Sequence, residues 1–469
     1  MRLVLVNPKQ EHTISGNLPK YVDKERGNIP PLGILYAATI AKDKGWGVSV
    51  KDLSAGDALE GDAPDIVGIT ANTFTMVDAL ITAQDVKKRW GCKVMFGGMH
   101  PSIFPDETSR LENVDSVYAG EAEGGFSKYL DCYPNLPRVF VNSSLSSNLD
   151  VIPSRELTDK RKYHSLLGCG MVTTIFTSRG CPYHCIFCYR KTMGKAFRAR
   201  TPAQVIDEVK GIVESGVKEI LFYDDTFTVD KDRALEICTG LMGLDVKFDV
   251  RMRVDHADTG LLKALKAAGC RRIHYGVESS TDEHLKAIGK GVTVEQVRRA
   301  FYLTKKEGIE TLAYFIIGSP GENTQDIKHT IQFAKDLKPD YCHFGIMTPY
   351  PATPLYELGL KCGLYGDYWG EFAKRPDATF KAPYWPELKR DDLDELLDQA
   401  YRRFYLRPGR IVKELTKPST IKNLPRKIDA AVKMVNWRRL ATVALFVLTV
   451  IVTFVLMELA WYLTGMWDV

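Results

Sequence analysis

No charge of either sign dominates the chain. Its 63 Lys and Arg stand against 58 Asp and Glu, a formal net charge of +5 over 469 residues. Composition therefore gives no warrant for nucleic-acid binding, which calls for a concentrated basic face. No export signal is expected either, because the opening MRLVLVNPKQ has no long apolar stretch. The expectation is a reducing compartment, in which ten cysteines serve as free thiols or metal ligands. The sequence holds no internal repeat and no low-complexity tract. Apolar residues at 45% and charged residues at 26% exclude wholesale disorder and a multi-span membrane protein. At this length two to four domains can bury cores without a disulfide or metal staple.

What is there is an alternation of short β-branched runs with amphipathic stretches. Strands are expected at residues 2–7, 48–53, 65–71 and 93–97, with helices near 33–44 and 76–89. That βαβα rhythm implies a parallel sheet covered on both faces, with a ligand crevice beyond the carboxyl ends of its strands. Small and hydroxyl residues cluster at three such ends, in ITANTF (69–74), GGMHP (97–101) and AGEAEG (119–124), where simple turn chemistry competes with ligand contact. A polar stretch at 134–165 reads as a linker. Six further strands follow, at 172–177, 219–223, 247–253, 272–277, 310–317 and 341–348, each separated from the next by a helix. This spacing suits a partial barrel whose chemistry sits at the carboxyl ends of its strands.

The chain closes with a charge-rich helical region, a basic linker at 407–439, and an apolar stretch from Leu440 to Met457 that weakens towards Trp461 and Tyr462. About 20 helical residues cover ~30 Å, the thickness of a hydrocarbon core. Trp437, Arg438 and Arg439 on one side and Trp461, Tyr462 and Trp467 on the other resemble interfacial anchors. The expectation is one transmembrane helix at 440–463, membrane localisation through a single-pass C-terminal anchor, and a catalytic body on the cytoplasmic side. A buried core helix is the competing reading.

The sharpest motif is GCPYHCIFCY (180–189), where Cys181, Cys185 and Cys188 stand in C-x3-C-x2-C spacing after the first barrel strand. Three thiolates from one tight loop can hold three corners of a 4Fe-4S cluster and leave one iron open. A zinc knuckle completed by His184 or a distant cysteine competes, but no paired C-x2-C halves are present. Cys169 reads as a buried free thiol.

With Phe187 before the third cysteine, this loop resembles that of the radical S-adenosylmethionine (SAM) superfamily. The preceding βα domain with GGMHP and GEAEG resembles its cobalamin-binding class, which includes radical methyltransferases and the anaerobic magnesium-protoporphyrin ester cyclase. The resemblance covers the chain up to about Leu406. It implies an α/β fold: a Rossmann-like cobalamin-binding domain at 1–140, a partial (β/α)6 barrel at 165–355, and a helical region with linker at 356–430 before the span.

The resemblance further implies three cofactors: the cluster on Cys181, Cys185 and Cys188, SAM, and cobalamin. The open iron would chelate the methionyl amine and carboxylate of SAM, whose reductive cleavage yields a 5'-deoxyadenosyl radical. Phe187 and Tyr189 would border the adenine. Asp224 or Asp225 would receive the methionyl ammonium, with helix capping as the competing use of one of them. Arg253 would pair the methionyl carboxylate, and Glu278 and Ser279 of YGVES would contact the cofactor or its ribose, unless they form barrel ion pairs. Cobalamin contacts would fall on Thr70, Asn72, Thr73, Gly97, Gly98, His100 and Glu121. The D-x-H-x-x-G motif that gives cobalt a lower histidine is missing, since His12 lies in QEHTISG without the aspartate.

The implied activity is methylation of an unactivated carbon in a lipid-like or other hydrophobic small molecule. Reduced ferredoxin or flavodoxin would serve as donor, the membrane as a partner, and no nucleic acid. A radical oxidative cyclase or carbon–carbon coupling enzyme is the alternative, and a non-enzymatic cobalamin or redox sensor is a third reading.

Overall fold

The computed structural model describes residues 1–14, 28–165, 167–168, 170–190 and 194–415, the side chains of 413–415 excepted. Six parallel strands form the first sheet: β1 (Arg2–Asn7), β2 (Gly47–Asp52), β3 (Ile66–Thr70), β4 (Lys93–Gly97), β5 (Ser116–Ala119) and β6 (Val139–Val141). Their order is β2-β1-β3-β4-β5-β6. Side chains alternate between the faces with the period of a strand. Leu3, Leu5, Ile66 and Met95 pack with Ile34, Leu35 and Tyr129 on one side. Val67, Ile69, Val94 and Phe96 pack with Met76, Ala83 and Val86 on the other, where Trp369 and Phe372 also lie. The chain reverses its direction of growth between β1 and β3, and the carboxyl ends of these two strands open the crevice where such sheets bind ligands.

The stretch 134–165, expected as a linker, supplies the edge strand β6 and then a strap. Three residues, VFV, are too short a run to show a period. The strap is pinned where the buried hydroxyl of Tyr163 donates to Asp52 at 3.0 Å and where Arg155 reaches the Thr174 carbonyl at 2.7 Å.

The second sheet is also wholly parallel. Its strands are β7 (Val172–Ile175), β10 (Glu219–Phe222), β11 (Lys247–Met252), β12 (Cys270–Glu278), β13 (Glu310–Ile317) and β14 (Tyr341–Ile346), in the order β14-β13-β12-β11-β10-β7. Between β7 and β10 lie two short antiparallel strands, β8 (Ser178–Arg179) and β9 (Arg198–Ala199). The helices that return the chain start on strong caps: Thr201 with Gln204, Thr293 with Gln296 and Asn323 with Asp326 form reciprocal capping boxes. β14 and β7 are not paired, so the barrel stays open. The edge of β14 is covered by the helix Arg390–Tyr405, whose Tyr401 hydroxyl meets the Phe344 carbonyl at 3.0 Å and its N–H at 3.2 Å.

Charges plug the barrel at the amino ends of its strands. Arg272 pairs with Asp249 at 3.0 Å and Glu310 at 2.6 Å. Arg271 pairs with Asp249 at 3.0 Å and Glu219 at 2.8 Å. Burial alone would raise the Asp249 carboxyl, but His274 beside it and the two guanidiniums outweigh burial and hold it well below the usual carboxylate range.

At the opposite rim, the turn after β13 buries a carboxyl without a charge partner. Glu322 is 3% exposed and accepts the Ser319 N–H at 3.0 Å, while its Oε1 has no hydrogen-bond partner. Burial pushes its carboxyl up to about 7. A raised folded-state value means that the stability contribution is complete at acid pH and is lost as pH rises through about 7. Glu322→Gln should therefore flatten the fall in stability between about pH 4.5 and 7 and gain ~3 kcal/mol above it. Denaturant titrations across this range check it, and an unchanged slope contradicts it.

One compact unit runs up to Phe404 and a second begins at Tyr405. Of the second, the described residues form the helix Pro408–Leu415. The transmembrane expectation is corrected here. Among the described residues no helix is long and apolar enough to cross a membrane. Even Arg390–Tyr405, with 16 residues, spans only ~24 Å and is rich in charge. Residues 440–463 lie outside the described residues, as does Cys169. The fold is α/β without a demonstrated span, and the membrane localisation built on that span falls with it.

Candidate active site

The cysteine loop lies between β8 and β9 and is held by its middle. Ile186 donates its N–H to the Ile288 carbonyl at 3.1 Å, and its own carbonyl accepts from Leu355 at 2.9 Å. Ile186 and Phe187 pack against Ile288, Met347, Leu355 and Trp385. Gly289 allows this approach: its φ is +66°, and a Cβ there would stand 2.8 Å from the His184 carbonyl. Cys185 is buried, Cys181 half-buried and Cys188 exposed. The Cys185 thiol is drawn down by a hydrogen bond with Cys188, with the cations Lys290 and Arg253 nearby, whereas Cys188 is driven up. Among the described residues, no three His, Cys, Asp or Glu side chains converge so as to hold a single metal ion. A zinc knuckle, four ligands on one ion, therefore has no counterpart there. A 4Fe-4S cluster asks for something else, one thiolate on each of three separate irons. Three cysteines on one anchored loop, with two cations to offset the charge of the cluster, suit that demand.

A cavity of about 650 Å³ begins at this loop, where Phe187, Asp225 and Lys290 line it. It continues to the carboxyl ends of β1 and β3, where Gln10, Thr13, Asn72, Phe74 and Thr75 line it. The sheet's reversal point and the barrel mouth thus share one space.

The structure separates the two candidate aspartates. Asp224 is fully buried and accepts from the Thr177 N–H at 2.7 Å, the Ser178 hydroxyl at 2.8 Å and the Thr177 hydroxyl, tying the end of β10 to that of β7. Asp225 lines the cavity, its carboxyl raised by burial and partly offset by Arg251. Arg253 also lines it, but is committed to Asp255 through two contacts of 2.9 and 3.0 Å and lies 3.7 Å over the Tyr183 ring. Lys290, which sequence reasoning missed, sits between Cys185 and Glu278 and pairs with Glu278 at 2.7 Å, both buried. Glu278 is held at φ +67°, where the β12–β13 register shifts. A non-glycine residue stays in that region only when its surroundings over-determine it. Ser279 is buried with its hydroxyl unpartnered, and neither it nor Tyr189 lines the cavity.

Of the expected cobalamin contacts, only Asn72 lines the cavity. Thr70, Thr73, Gly97, Gly98 and His100 form a knot behind it. Gly98 has φ +105°, and a Cβ there would stand 2.9 Å from the Ala71 carbonyl and 3.0 Å from the Thr70 hydroxyl. His100 is fully buried, with Nδ1 3.3 Å from the Thr73 hydroxyl and Nε2 unpartnered, and burial lowers it to about 3, so the ring is neutral. His12 does not line the cavity; its Nδ1 is bonded to Asp78 at 2.9 Å. The strand-end crevice, with amide and hydroxyl side chains and no histidine among the residues lining it there, fits a corrinoid carried without a lower protein ligand. Glu121 stands apart from the rest and joins the sheet to the barrel through Arg198 at 2.7 and 2.9 Å.

The signals for the missed residues lay in strand period. In RMR, Arg251 shares the face of Arg253, and Lys290 stands between two glycines in IGKGV, immediately after the helix that follows YGVES.

Comparison with known proteins agrees with this geometry. The sequence profile of the Radical SAM superfamily matches residues 175–334, and that of the B12 binding domain matches residues 20–130. An uncharacterized methyltransferase of Pyrococcus horikoshii is 34% identical over 449 residues, 88% of this chain and 95% of the relative. The anaerobic magnesium-protoporphyrin IX monomethyl ester cyclase of Rubrivivax gelatinosus is 27% identical over 83% of this chain and 76% of its own length. Among solved structures, the radical S-adenosylmethionine methyltransferase TsrM of Kitasatospora setae, with cobalamin and a [4Fe-4S] cluster bound, superposes with a TM-score of 0.61 at 19% identity, over 77% of this chain and 79% of that one.

Proposed function

Because the chain belongs to the radical SAM superfamily and is a cobalamin-dependent enzyme of it, we propose that it methylates an unactivated carbon of a small molecule held in the shared cavity. The observation that carries this reading is the continuity of that cavity from the cysteine loop to the β1/β3 crevice. When bound, the 4Fe-4S cluster supplies a low-potential electron to SAM and cobalamin carries the methyl group. An external reductant must deliver that electron, and reduced ferredoxin or flavodoxin suits the role.

The chain's own residues divide the remaining work. Cys181, Cys185 and Cys188 hold the cluster. Asp225, free of the bonds that occupy Asp224, receives the methionyl ammonium, and such a charge-assisted bond is about twice as strong as a neutral one. Lys290, the cation that acts most on Cys185, meets the methionyl carboxylate, and Arg253 fixes the loop carrying Lys290 through its bond to the Lys290 carbonyl at 3.0 Å. Phe187 walls the adenine side, and Glu278 faces the ribose. Gln10, Thr13 and Asn72 face the corrinoid, and the knot of Thr70, Thr73, Gly97, Gly98 and His100 fixes the shape of their crevice. The lipid-like substrate rested on the tail span and is not carried forward.

A radical cyclase is the second reading, favoured by the identity to the ester cyclase over most of the chain. Anaerobic holoenzyme given a low-potential reductant, deuteromethyl SAM and a small-molecule extract of the native cells separates the two. Methyl transfer should release S-adenosylhomocysteine beside 5'-deoxyadenosine and place the label in one component of the extract. 5'-Deoxyadenosine with a new but unlabelled product would assign the cyclase.

A further inference from the structure

Three cations line the cavity, and one of them, Arg251, has no ion-pair partner among the described residues. Arg251, Arg253 and Lys290 line it against the carboxylates of Asp225 and Glu278. Glu278 is taken by Lys290 at 2.7 Å, and Arg253 by Asp255 at 2.9 Å. Asp249, two residues before Arg251 on the same strand, is taken by Arg271 and Arg272. Asp225 influences Arg251 through space, yet among the described residues no carboxylate stands within ion-pair distance of Arg251. Its guanidinium lies 4.3 Å over the Tyr223 ring and donates one hydrogen bond, to the Tyr223 carbonyl at 3.3 Å. A guanidinium has five N–H donors in a planar fork, so one hydrogen bond leaves most of the fork unspent. Donors left unspent on a cavity wall offer a ligand an anchor.

Imidazole and phenol side chains line the cavity with Arg251. On the neighbouring strands His274 Nδ1 lies 3.2 Å from the Tyr314 hydroxyl, and the His343 ring centre lies 5.4 Å from that of Tyr314. Burial lowers His274, keeping it uncharged. All four residues line the cavity, with Arg251 in register with His274 and Tyr314 in register with His343. A single guanidinium without an ion-pair partner, with hydroxyl and imidazole neighbours, matches a planar monoanion better than a phosphate dianion.

We propose that Arg251, with Tyr314, His274 and His343 around it, receives a carboxylate of the substrate, so that the enzyme acts on a carboxylic acid whose reacting carbon lies above that anchor. The inference rests on the reading of the cavity as the reaction chamber and names the class of molecule that enters it.

The test uses holoenzyme saturated with SAM, whose own carboxylate then occupies the upper cations. 4-Fluorobenzoate and 4-fluorobenzamide are titrated against it by fluorine NMR. The acid should bind about 10- to 100-fold more tightly than the amide, the range of one hydrogen-bonded charge pair. Arg251→Gln should abolish that preference, and Arg251→Lys should retain part of it. Equal binding of acid and amide, binding of neither, or a preference that persists in Arg251→Gln overturns the proposal. The comparison of acid with amide on the native enzyme needs no variant to fold. Release of 5'-deoxyadenosine from the same sample on adding reductant reports separately on the radical assignment, which fails if none is formed whatever the benzoate does.

Discussion

Serine in place of Cys185 should strip the cluster from anaerobically prepared enzyme and lower SAM cleavage by at least ~100-fold, since even outer partners of metal ligands cost 10- to 100-fold when lost. The cluster has only three thiolates to draw on in this loop, so removing one leaves two irons instead of one without protein sulfur. Cys185 is the most critical of the three in position. It is the buried one, its thiol is drawn down beside Cys188, and Lys290 and Arg253 lie next to it. A serine hydroxyl keeps the volume but is a hard, far less acidic donor, poorly matched to an iron–sulfur cube. Iron quantification, visible absorption and 5'-deoxyadenosine release should fall together. Cys132→Ser, in the first sheet's half of the molecule, is the matched control and should change none of them. Full iron and turnover in Cys185→Ser would overturn the ligand assignment.

Much of the fold was legible because its strands carry Val, Ile and Leu at positions their sheets bury, as in RLVLVN and IVGIT. Three of its barrel helices open on Thr or Asn caps with Gln or Asp three residues later. The reach of that signal ends where structure depends on residues far apart. β6 is three residues long and gains its identity from pairing with β5. Asp224 and Asp225 are neighbours of the same chemistry, and only the turn that aims one at Thr177 and the other at the cavity distinguishes them. Lys290 is brought to Glu278 across 12 residues by a register shift in β12, which no local pattern announces. GGMHP was correctly placed at a strand end, but its histidine turns inward onto Phe104 and Phe372, with ring centres 5.2 and 6.0 Å away.

Glu121 makes ion pairs that the sequence did not announce, and their loss has a large expected effect. As part of AGEAEG at a strand end it resembled a cofactor contact. Its carboxylate instead lies 4% exposed between Arg198, at 2.7 Å, and Arg179, at 3.4 Å. Arg179 in turn pairs with Glu123, both nearly buried. Two carboxylates from the first sheet and two guanidiniums from β8 and β9 thus form a dry clamp between the halves of the cavity. Burial alone would raise the Glu121 carboxyl, but Arg198 and Arg179 outweigh it and lower it. A depressed carboxyl gives stability that is present above the ordinary carboxylate range and is lost as pH falls through the folded-state value. Removing one member strands the other charge in a site without water, at a cost of ~3–5 kcal/mol. Glu121→Ala and Arg198→Ala should each destabilise the protein by about that much at neutral pH. The double variant should cost little more than either alone, because with both gone no charge is stranded. Denaturant unfolding of the three variants supplies the cycle. If Glu121→Ala instead leaves stability within ~0.5 kcal/mol of native while cobalamin binding weakens, the carboxylate belongs to the cofactor and the clamp is incidental. The clamp predicts the opposite order: stability falls first, and cobalamin is lost only as the two walls of its cavity part.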